Sequence, residues 1–176
     1  CATQVENLDI IAGSERLTEL ESELDSRHKI YKLREALNSL KDTYQHIFID
    51  TATALNFYSM SAIIAAQRCL IPIHYADFAR QGLYSLQRKI AEIKEDHNES
   101  LEIECIIANQ YMANANLPKQ IVNELIAEGF PVLSQYIGQS VKMRESHQAK
   151  KPLILLAPKH KLTLSLVGIF NLLEKN

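Results

Sequence analysis

Apolar residues fall into short runs along the chain, and longer stretches of mixed polarity separate these runs. Five of the runs have the length and the β-branched content of strands. Because the stretches between them repeat leucine and isoleucine at helical spacing, the pattern predicts βαβ units. We therefore expect an α/β fold, a mostly parallel sheet flanked by helices on both faces. The predicted strands cover residues 7–12, 46–50, 68–73, 101–108 and 131–137.

The predicted helices are bounded by residues that commonly begin or end helices. Gly129 follows the fifth helical stretch in the position where a helix usually stops, and Pro152 ends the sixth. Between the first two stretches, Asp25–His28 predicts a break, although one long helix is an alternative. The short apolar run 153–156 is interpreted as a connector. The predicted helices cover residues 17–24, 30–40, 57–67, 78–96, 118–128, 141–150 and 162–173.

One predicted strand ends in a single acidic residue. The run 46–49 is followed by Asp50 and then by small and polar residues. A buried parallel strand of this kind presents its last side chain at the carboxyl edge of the sheet, where α/β proteins bind ligands. The alternative is that the carboxylate of Asp50 caps the helix that follows. The stretch by itself leaves both interpretations open.

Composition is typical of a soluble globular protein with one domain over residues 1–176. The apolar content is 47%, and no apolar run approaches the roughly 20 residues that cross a bilayer. Because the formal charge is -2 and the pI is near 6.3, any contact with nucleic acid must come from a local basic patch. Three cysteines without metal-ligand spacing and no recognisable export signal indicate a cytoplasmic protein.

Several common catalytic and nucleotide-binding motifs are absent from these 176 residues. There is no G-x-G-x-x-G fingerprint and no G-x-S-x-G elbow. None of the five glycines precedes a lysine, so there is no phosphate-cradling G-x-x-x-x-G-K-[ST] loop. The six histidines are dispersed without the spacing of metal ligands, which favours surface or helix-end positions. The motifs of these 176 residues therefore predict neither a dehydrogenase nor a zinc enzyme.

Several segments, taken in order, resemble a known family. The run 46–51, the helix of small residues after it and the next strand are similar to the Walker B region of the ParA/MinD group of deviant Walker A ATPases, which includes the Soj-like partition ATPases. The resemblance continues in the same order and covers nearly the whole chain, from about Asn7 to Leu173. Its segments are His46–Thr51, Ala54–Ala66, Cys69–Ile73, Asn114–Pro118, Ser140–Ser146 and Lys151–Leu153.

The resemblance implies a P-loop NTPase-like fold and a nucleotide-driven switch. Such a protein forms a homodimer around ATP, binds DNA nonspecifically, and is stimulated to hydrolyse ATP by a ParB-like activator. Its cofactors would be ATP or ADP with Mg²⁺, and its role would be chromosome or plasmid partitioning at the nucleoid. The alternative is a non-enzymatic ParA-like module for dimerisation or DNA contact. A third possibility is an unrelated α/β domain in which Asp50 is only a helix cap.

The resemblance also implies roles for individual residues. Asp50 is similar to the Walker B acid, which orders Mg²⁺ through its water shell. Asn109, followed by Gln110, stands where the family contacts the adenine base, and Gly138 lies in a stretch similar to the loop that closes over the base. Phe78–Arg80 falls in a region similar to the dimer-facing surface. These are the candidate nucleotide-binding residues.

Two departures from the family pattern change the expectation. Ala52–Thr53 stands where the family generally has a proline pair, so the backbone beside Asp50 is less stiff. The family's first strand, its lysine-bearing phosphate loop and its next acidic strand have no counterpart in this chain. Since those elements position the phosphates and neutralise their charge, we expect ATP hydrolysis only in a longer protein, with this fragment alone inactive. We also expect an incomplete or rearranged sheet, completed by another chain.

Four basic residues form a candidate DNA-binding patch. They lie along a short predicted helix and its exit, where their charges can contact backbone phosphates: Lys142, Arg144, Lys150 and Lys151. Lys142 stands where the family often has a DNA-binding arginine, whereas Asn114 replaces another residue that is commonly basic. The alternative is a solvated helix face whose charges interact with the helix dipole.

Overall fold

A computed structural model describes residues 1–74, 77–112 and 114–175, without the side chains of residues 77–79. The chain divides into two compact units, Cys1–Ala66 and Gln67–Asn176. We call them the N-unit and the C-unit and describe each by itself. The single domain over 1–176 stays a prediction.

The N-unit contains three helices, α1 (Arg16–Ser26), α2 (Lys32–Asn38) and α3 (Phe57–Ala65). The break between α1 and α2 is confirmed, and His28 adopts a left-handed φ of 53° there. Helix α3 begins where Asn56 Oδ1 accepts a hydrogen bond from the backbone N–H of Ser59 at 3.0 Å. Helices α1 and α2 bury none of their residues, so α3 supplies the interior of this unit.

Neither predicted strand of the N-unit forms. The run 46–50 takes part in no strand ladder, and Phe48 is 70% exposed. The run 7–12 forms only an isolated bridge between Ala2 and Asp9. A strand is stable only when a neighbouring backbone satisfies its N–H and C=O groups, and no strand lies beside 46–50 among the described residues. The prediction of strands over 7–12 and 46–50 is therefore wrong, because an apolar pattern without a pairing neighbour is not sufficient for a strand.

The C-unit contains a parallel three-stranded sheet in the order β1 (Arg68–Ile73), β2 (Glu102–Tyr111) and β3 (Ile137–Gly138). Strand β1 pairs with β2 along its whole length, from Arg68 opposite Glu102 to Ile73 opposite Ala108. In the described part of this unit, five helices accompany the sheet: α4 (Asp77–Asp96), α5 (Asn116–Ala127), α6 (Val141–Gln148), α7 (Leu153–Leu156) and α8 (Lys161–Leu173). The predicted α/β class with a parallel sheet flanked by helices is confirmed.

Strand β2 is the centre of the C-unit core. Glu102–Glu104 are exposed or half-buried and Cys105–Ala108 are buried, as the pattern of the predicted strand 101–108 indicates. Ile106 is completely buried, and burial raises the pKa of the Cys105 thiol to about 11. A cluster around Cys105 and Ile107 includes Ile169 of α8, with four partly buried side chains packed against it: Leu70, Leu133, Ile137 and Leu173.

The fifth predicted strand is confirmed in part. The N–H of Ile106 donates to the carbonyl of Pro131 at 2.8 Å, and the N–H of Leu133 donates to the carbonyl of Ile106 at 2.9 Å. The chain therefore pairs with β2 around Val132, leaves it, and returns as the two-residue β3. Between these two pairings the residues make no ladder with β2, so the predicted strand 131–137 is interrupted there.

Several helix ends follow the sequence signals. Gly129 adopts a φ of 87°, and the N–H of Phe130 donates to the carbonyl of Leu125 at 3.0 Å, which closes α5 as a Schellman motif.

The run 153–156, interpreted as a connector, forms the short helix α7 instead. Part of the predicted loop after β1, residues 75 and 76, lies outside the described residues. In the described ranges, no helix combines the length and hydropathy of a membrane span.

Candidate functional site

Three predicted nucleotide-binding residues come together at the carboxyl edge of the C-unit sheet. Asn109 lies opposite Ile137 in the β2–β3 pair, and Gly138 lies opposite Tyr111. The register shifts between these pairs, and Gln110, inside the shift, adopts a left-handed φ of 53°. The structure thus brings Asn109, Gln110 and Gly138 to one edge, where α/β sheets bind ligands.

The Asn109 side chain is held in place by the backbone turn that follows it. Its Oδ1 accepts a hydrogen bond from the N–H of Gln110 at 2.9 Å. Asn109 is half-buried, whereas Gln110 is exposed. With Oδ1 used locally, the amide of Asn109 still offers its NH₂ group and a second lone pair to a ligand. Such an amide can donate to and accept from one edge of a heteroaromatic ring.

Two tyrosines flank this edge. The ring of Tyr111, at the end of β2, lies 4.3 Å from the ring of Tyr136, immediately before β3, with the planes tilted by 39°. Desolvation raises the pKa of the Tyr111 hydroxyl, and Tyr136 adds to the effect. Flat aromatic faces beside an amide suit a planar ring, because every nucleic-acid base has a stacking face. Neither tyrosine was predicted from the sequence, although Tyr111 directly follows Gln110 and Tyr136 lies within the predicted strand 131–137.

Asp50 lies in the N-unit, whereas Asn109, Gln110 and Gly138 belong to the C-unit. Its side chain is exposed, and no other described residue makes a hydrogen bond or an ion pair with it. The alternative that Asp50 caps the next helix is wrong, because Asn56 caps α3 six positions later. Among the described residues, no group of three or more His, Cys, Asp or Glu side chains forms a metal cluster. The exposed carboxylate could hold a cation only with ligands from elsewhere, such as water or phosphate.

The four basic residues occupy helix α6 and its exit. Ser140 caps α6, since its Oγ accepts from the N–H of Lys142 at 3.1 Å. The ammonium of Lys142 lies 2.6 Å from the carboxylate of Glu145, which neutralises one charge of the patch. Arg144 stands two positions from Lys142, so the two point to nearly opposite sides of the helix. The four cations therefore do not form one flat patch.

The exit of α6 carries two exposed lysines. Lys150 adopts a left-handed φ of 48°, a conformation that favours glycine. The hydroxyl of Ser146 donates to the carbonyl of Lys151 at 2.7 Å and fixes this turn. No carboxylate of the described residues forms an ion pair with Lys150 or Lys151, nor with the exposed Arg144. These three side chains are the available cations of the patch.

Arg80 joins helices α4 and α5. Its guanidinium Nη1 lies 2.5 Å from Glu124, its Nη2 contacts Glu128, and its Nε donates to the hydroxyl of Tyr84 at 2.8 Å. The hydrogen bond with Tyr84, followed by the one with Glu128, raises the pKa of Arg80. The hydrogen bond from Tyr84, followed by Arg80, lowers the pKa of Glu128. The predicted dimer-facing role of Phe78–Arg80 stays a prediction: the Phe78 side chain lies outside the described residues, and Arg80 is used within its own chain.

A family model described as an AAA domain matches residues 1–103. The chain is 30% identical over 161 residues to the sporulation initiation inhibitor protein Soj of Bacillus subtilis, covering 90% of this chain and 63% of Soj. It is 29% identical over 157 residues to the chromosome partitioning protein ParA of Caulobacter vibrioides, covering 87% of this chain and 59% of ParA. This chain therefore spans about six-tenths of the length of these relatives.

Solved structures give the same fold. Cyanthece apo McdA has a TM-score of 0.78 at 16% identity, with 90% of this chain and 65% of that chain covered. The Pyrococcus furiosus cell division ATPase MinD has a TM-score of 0.69 at 21% identity, with coverages of 83% and 58%. A cobyrinic acid a,c-diamide synthase from Mycobacterium smegmatis, with bound ATP analog and magnesium, has a TM-score of 0.66 at 21% identity, with coverages of 70% and 52%.

The parallel sheet, its flanking helices and these structural neighbours define an α/β fold of the P-loop NTPase type. Within that class, the chain belongs to the AAA domain family that matches residues 1–103, as a ParA/MinD-type partition ATPase homologue. The family predicted from the ordered segments of the sequence is confirmed.

Proposed function

We propose that this chain is the part of a ParA-like partitioning ATPase that follows the phosphate-binding loop, and that 1–176 belongs to a single domain there. The complete protein would be a switch that dimerises on ATP and Mg²⁺ and then binds DNA nonspecifically. A ParB-like activator would stimulate its hydrolysis, at the nucleoid in the bacterial cytoplasm. Family membership supports this proposal, since the Caulobacter relative is named a chromosome partitioning protein.

The observation that carries the proposal is the cluster of Asn109, Gln110 and Gly138 at the carboxyl edge of the sheet. The free donor and acceptor of the Asn109 amide match the edge of an adenine base, which offers both an amino group and ring nitrogens. The neighbouring Tyr111 and Tyr136 add an aromatic wall, with rings 4.3 Å apart. A synthase with the same fold was solved with an ATP analog and magnesium, which supports nucleotide as the ligand class.

Asp50 would order Mg²⁺ through its water shell. The carboxylate is exposed and makes no ion pair with a described residue, and oxygen ligands suit this hard cation. In the complete domain, the run 46–50 would become the strand that its apolar pattern predicts, since Ile47 and Phe48 are 41% and 70% exposed without a neighbour. An Asp50→Ala variant that retains nucleotide-dependent dimerisation and hydrolysis would remove Asp50 from the mechanism.

The direct experiment compares this 176-residue chain with a version extended upstream by the missing segment. We expect the extended protein to bind a fluorescent ATP analogue with Mg²⁺ and to hydrolyse ATP, and the short chain to do neither. Asn109→Ala should weaken binding up to about tenfold, the value of one lost net hydrogen bond. Asn123→Ala, an exposed amide on α5, is the matched control and should bind normally.

A non-enzymatic module for dimerisation or DNA contact is the second candidate. It is favoured by one sequence observation, that no glycine of the chain precedes a lysine in a phosphate-binding loop. Activity in neither version of the protein would favour this module. Activity in the short chain would instead show that our assignment of the phosphate site is wrong.

We expect Lys150 and Lys151, at the exit of α6, to contribute more to DNA binding than Lys142 within the helix. Lys150 and Lys151 have no acid partner among the described residues, whereas Lys142 is paired with Glu145. Lys150→Ala with Lys151→Ala should lower the slope of log affinity against log salt by about 0.9 for each lost phosphate contact. Lys142→Ala should change the slope less, and Arg144→Ala about as much as one exit lysine. Equal slopes for all variants would contradict DNA contact here.

A further inference from the structure

Gly168 lies in the interior of helix α8, where glycine weakens a helix relative to alanine. Its φ lies outside the left-handed region, so the backbone does not require glycine at this position. The space beside it does. A Cβ on Gly168 would lie 2.5 Å from Nε2 and 2.7 Å from Cδ of Gln135, well inside van der Waals contact. Gly168 therefore leaves room for the side-chain amide of Gln135.

Gln135 lies between the two places where the fifth predicted strand pairs with β2. In the described chain, residues 134–136 make no ladder with β2. Gln135 itself is half-buried, and Leu133 and Ile137 on either side of it pack against the cluster that includes Ile169 of α8. Because no backbone ladder holds this segment on the sheet, its position depends on how its side chains pack against α8.

Tyr136 links this packing to the candidate nucleotide edge. It directly follows Gln135, and its ring lies 4.3 Å from the ring of Tyr111. Two positions further along, Gly138 pairs with Tyr111. Consecutive Cα atoms stay 3.8 Å apart, so a shift of Gln135 away from α8 moves Tyr136 as well. A closely packed interior transmits such a shift rather than absorbing it.

We propose that Gln135 and Gly168 are a matched pair that positions Tyr136 against Tyr111 and thereby sets the affinity of the candidate edge for a nucleotide base. The pair acts through Tyr136 and needs no contact with a nucleotide, so both are positioning residues. The effect on affinity rests on the proposed function, whereas the effect on the two rings does not. An aromatic wall stacks on a base only when its rings are correctly placed.

Replacing glycine by alanine at two helix-interior positions tests the placement of the rings. In the nucleotide-free 176-residue chain, NMR detects nuclear Overhauser contacts between the rings of Tyr111 and Tyr136. Gly168→Ala should lose these contacts. Gly168→Ala with Gln135→Ala should recover them, because the shorter side chain leaves room for the added methyl group. Gly82→Ala on α4 is the matched control, since its Cβ would meet no described atom within 4 Å beyond its own helical turn.

The affinity is measured on the upstream-extended protein with the fluorescent ATP analogue and Mg²⁺. Gly168→Ala should weaken binding about tenfold, the value of one lost stacking contact, and the double variant should restore it. If the wild type binds no nucleotide, the proposed function is wrong, while the ring contacts still decide the positioning role.

The positioning role is overturned if Gly168→Ala keeps the ring contacts, or if the double variant fails to recover them. Its link to affinity is overturned if Gly168→Ala loses the ring contacts and still binds nucleotide like the wild type. Recovery in the double variant excludes general misfolding as the cause of the loss, because misfolding caused by an alanine in α8 would persist when Gln135 is shortened.

Discussion

Two apolar runs with similar sequence patterns have opposite outcomes in the two units. The run 68–73 of the C-unit is a strand, paired residue by residue with β2. The run 46–50 of the N-unit forms no ladder, and Phe48 is 70% exposed. The difference lies in the neighbours, because a strand gains its hydrogen bonds and most of its burial from the strands beside it. An apolar run therefore encodes the potential for a strand, and pairing decides whether it forms.

Amide hydrogen exchange should show the largest difference between the units. We expect the amides of Cys105–Ala108 to exchange more slowly than those of 47–50 by about three orders of magnitude or more, since paired core amides open only with global unfolding. In the upstream-extended protein, the amides of 47–50 should become protected. Continued fast exchange there would contradict their proposed role as a strand.

Replacing one isoleucine in each unit by alanine should change the free energy of unfolding by very different amounts. Ile106→Ala removes a completely buried side chain from β2 and should cost about 3 kcal/mol. Ile47→Ala removes a side chain that is 41% exposed, and we expect a change within about 0.5 kcal/mol. Urea denaturation followed by circular dichroism measures both. A large loss from Ile47→Ala would show that 46–50 is packed in solution.

Removing the N-cap of one helix in each unit should have a smaller effect on stability. Asn56 caps α3 in the N-unit, and Ser140 caps α6 in the C-unit, each through a side-chain oxygen. Asn56→Ala and Ser140→Ala should each cost about 1 kcal/mol, while Asn56→Asp keeps an acceptor and should cost much less. If the units unfold separately, each loss should appear only in the denaturation transition of its own unit. A shared loss would show that the units unfold together.

The smallest effect concerns pH and the contact between α4 and α5. The pKa of Glu128 is lowered below its ordinary value of 4.5, first by Tyr84 and then by Arg80. Its stabilising contribution is therefore present above pH 4.5 and is lost as the pH falls through the lowered folded value. Glu128→Gln should lower the Tm near neutral pH, with a difference that shrinks in acid. A Tm difference that stays constant between neutral pH and acid would contradict this contribution of Glu128.

Local signals predicted much of the C-unit. Gly129 marked the end of α5 because only a residue tolerant of positive φ closes that helix, here at 87°. The fourth predicted strand, 101–108, ends directly before Asn109 and Gln110, which the family resemblance assigned to the nucleotide. Sequence reasoning could not find the contact between Tyr111 and Tyr136, since it depends on which strand ends lie side by side. The pairing of Lys142 with Glu145, which weakens one of four predicted cations, was open to prediction because the two residues are three positions apart in the predicted helix 141–150.

The sequence by itself determined the family, most of the helices, the first two parallel strands of the C-unit and the chemical types at the candidate site. These follow from periodicity, capping residues and ordered motifs, which act over a few positions of the chain. Only the tertiary structure decided that 46–50 lies unpaired and that the ring of Tyr111 lies beside the ring of Tyr136. These depend on backbone pairing and side-chain packing between segments distant in sequence, which no local pattern contains.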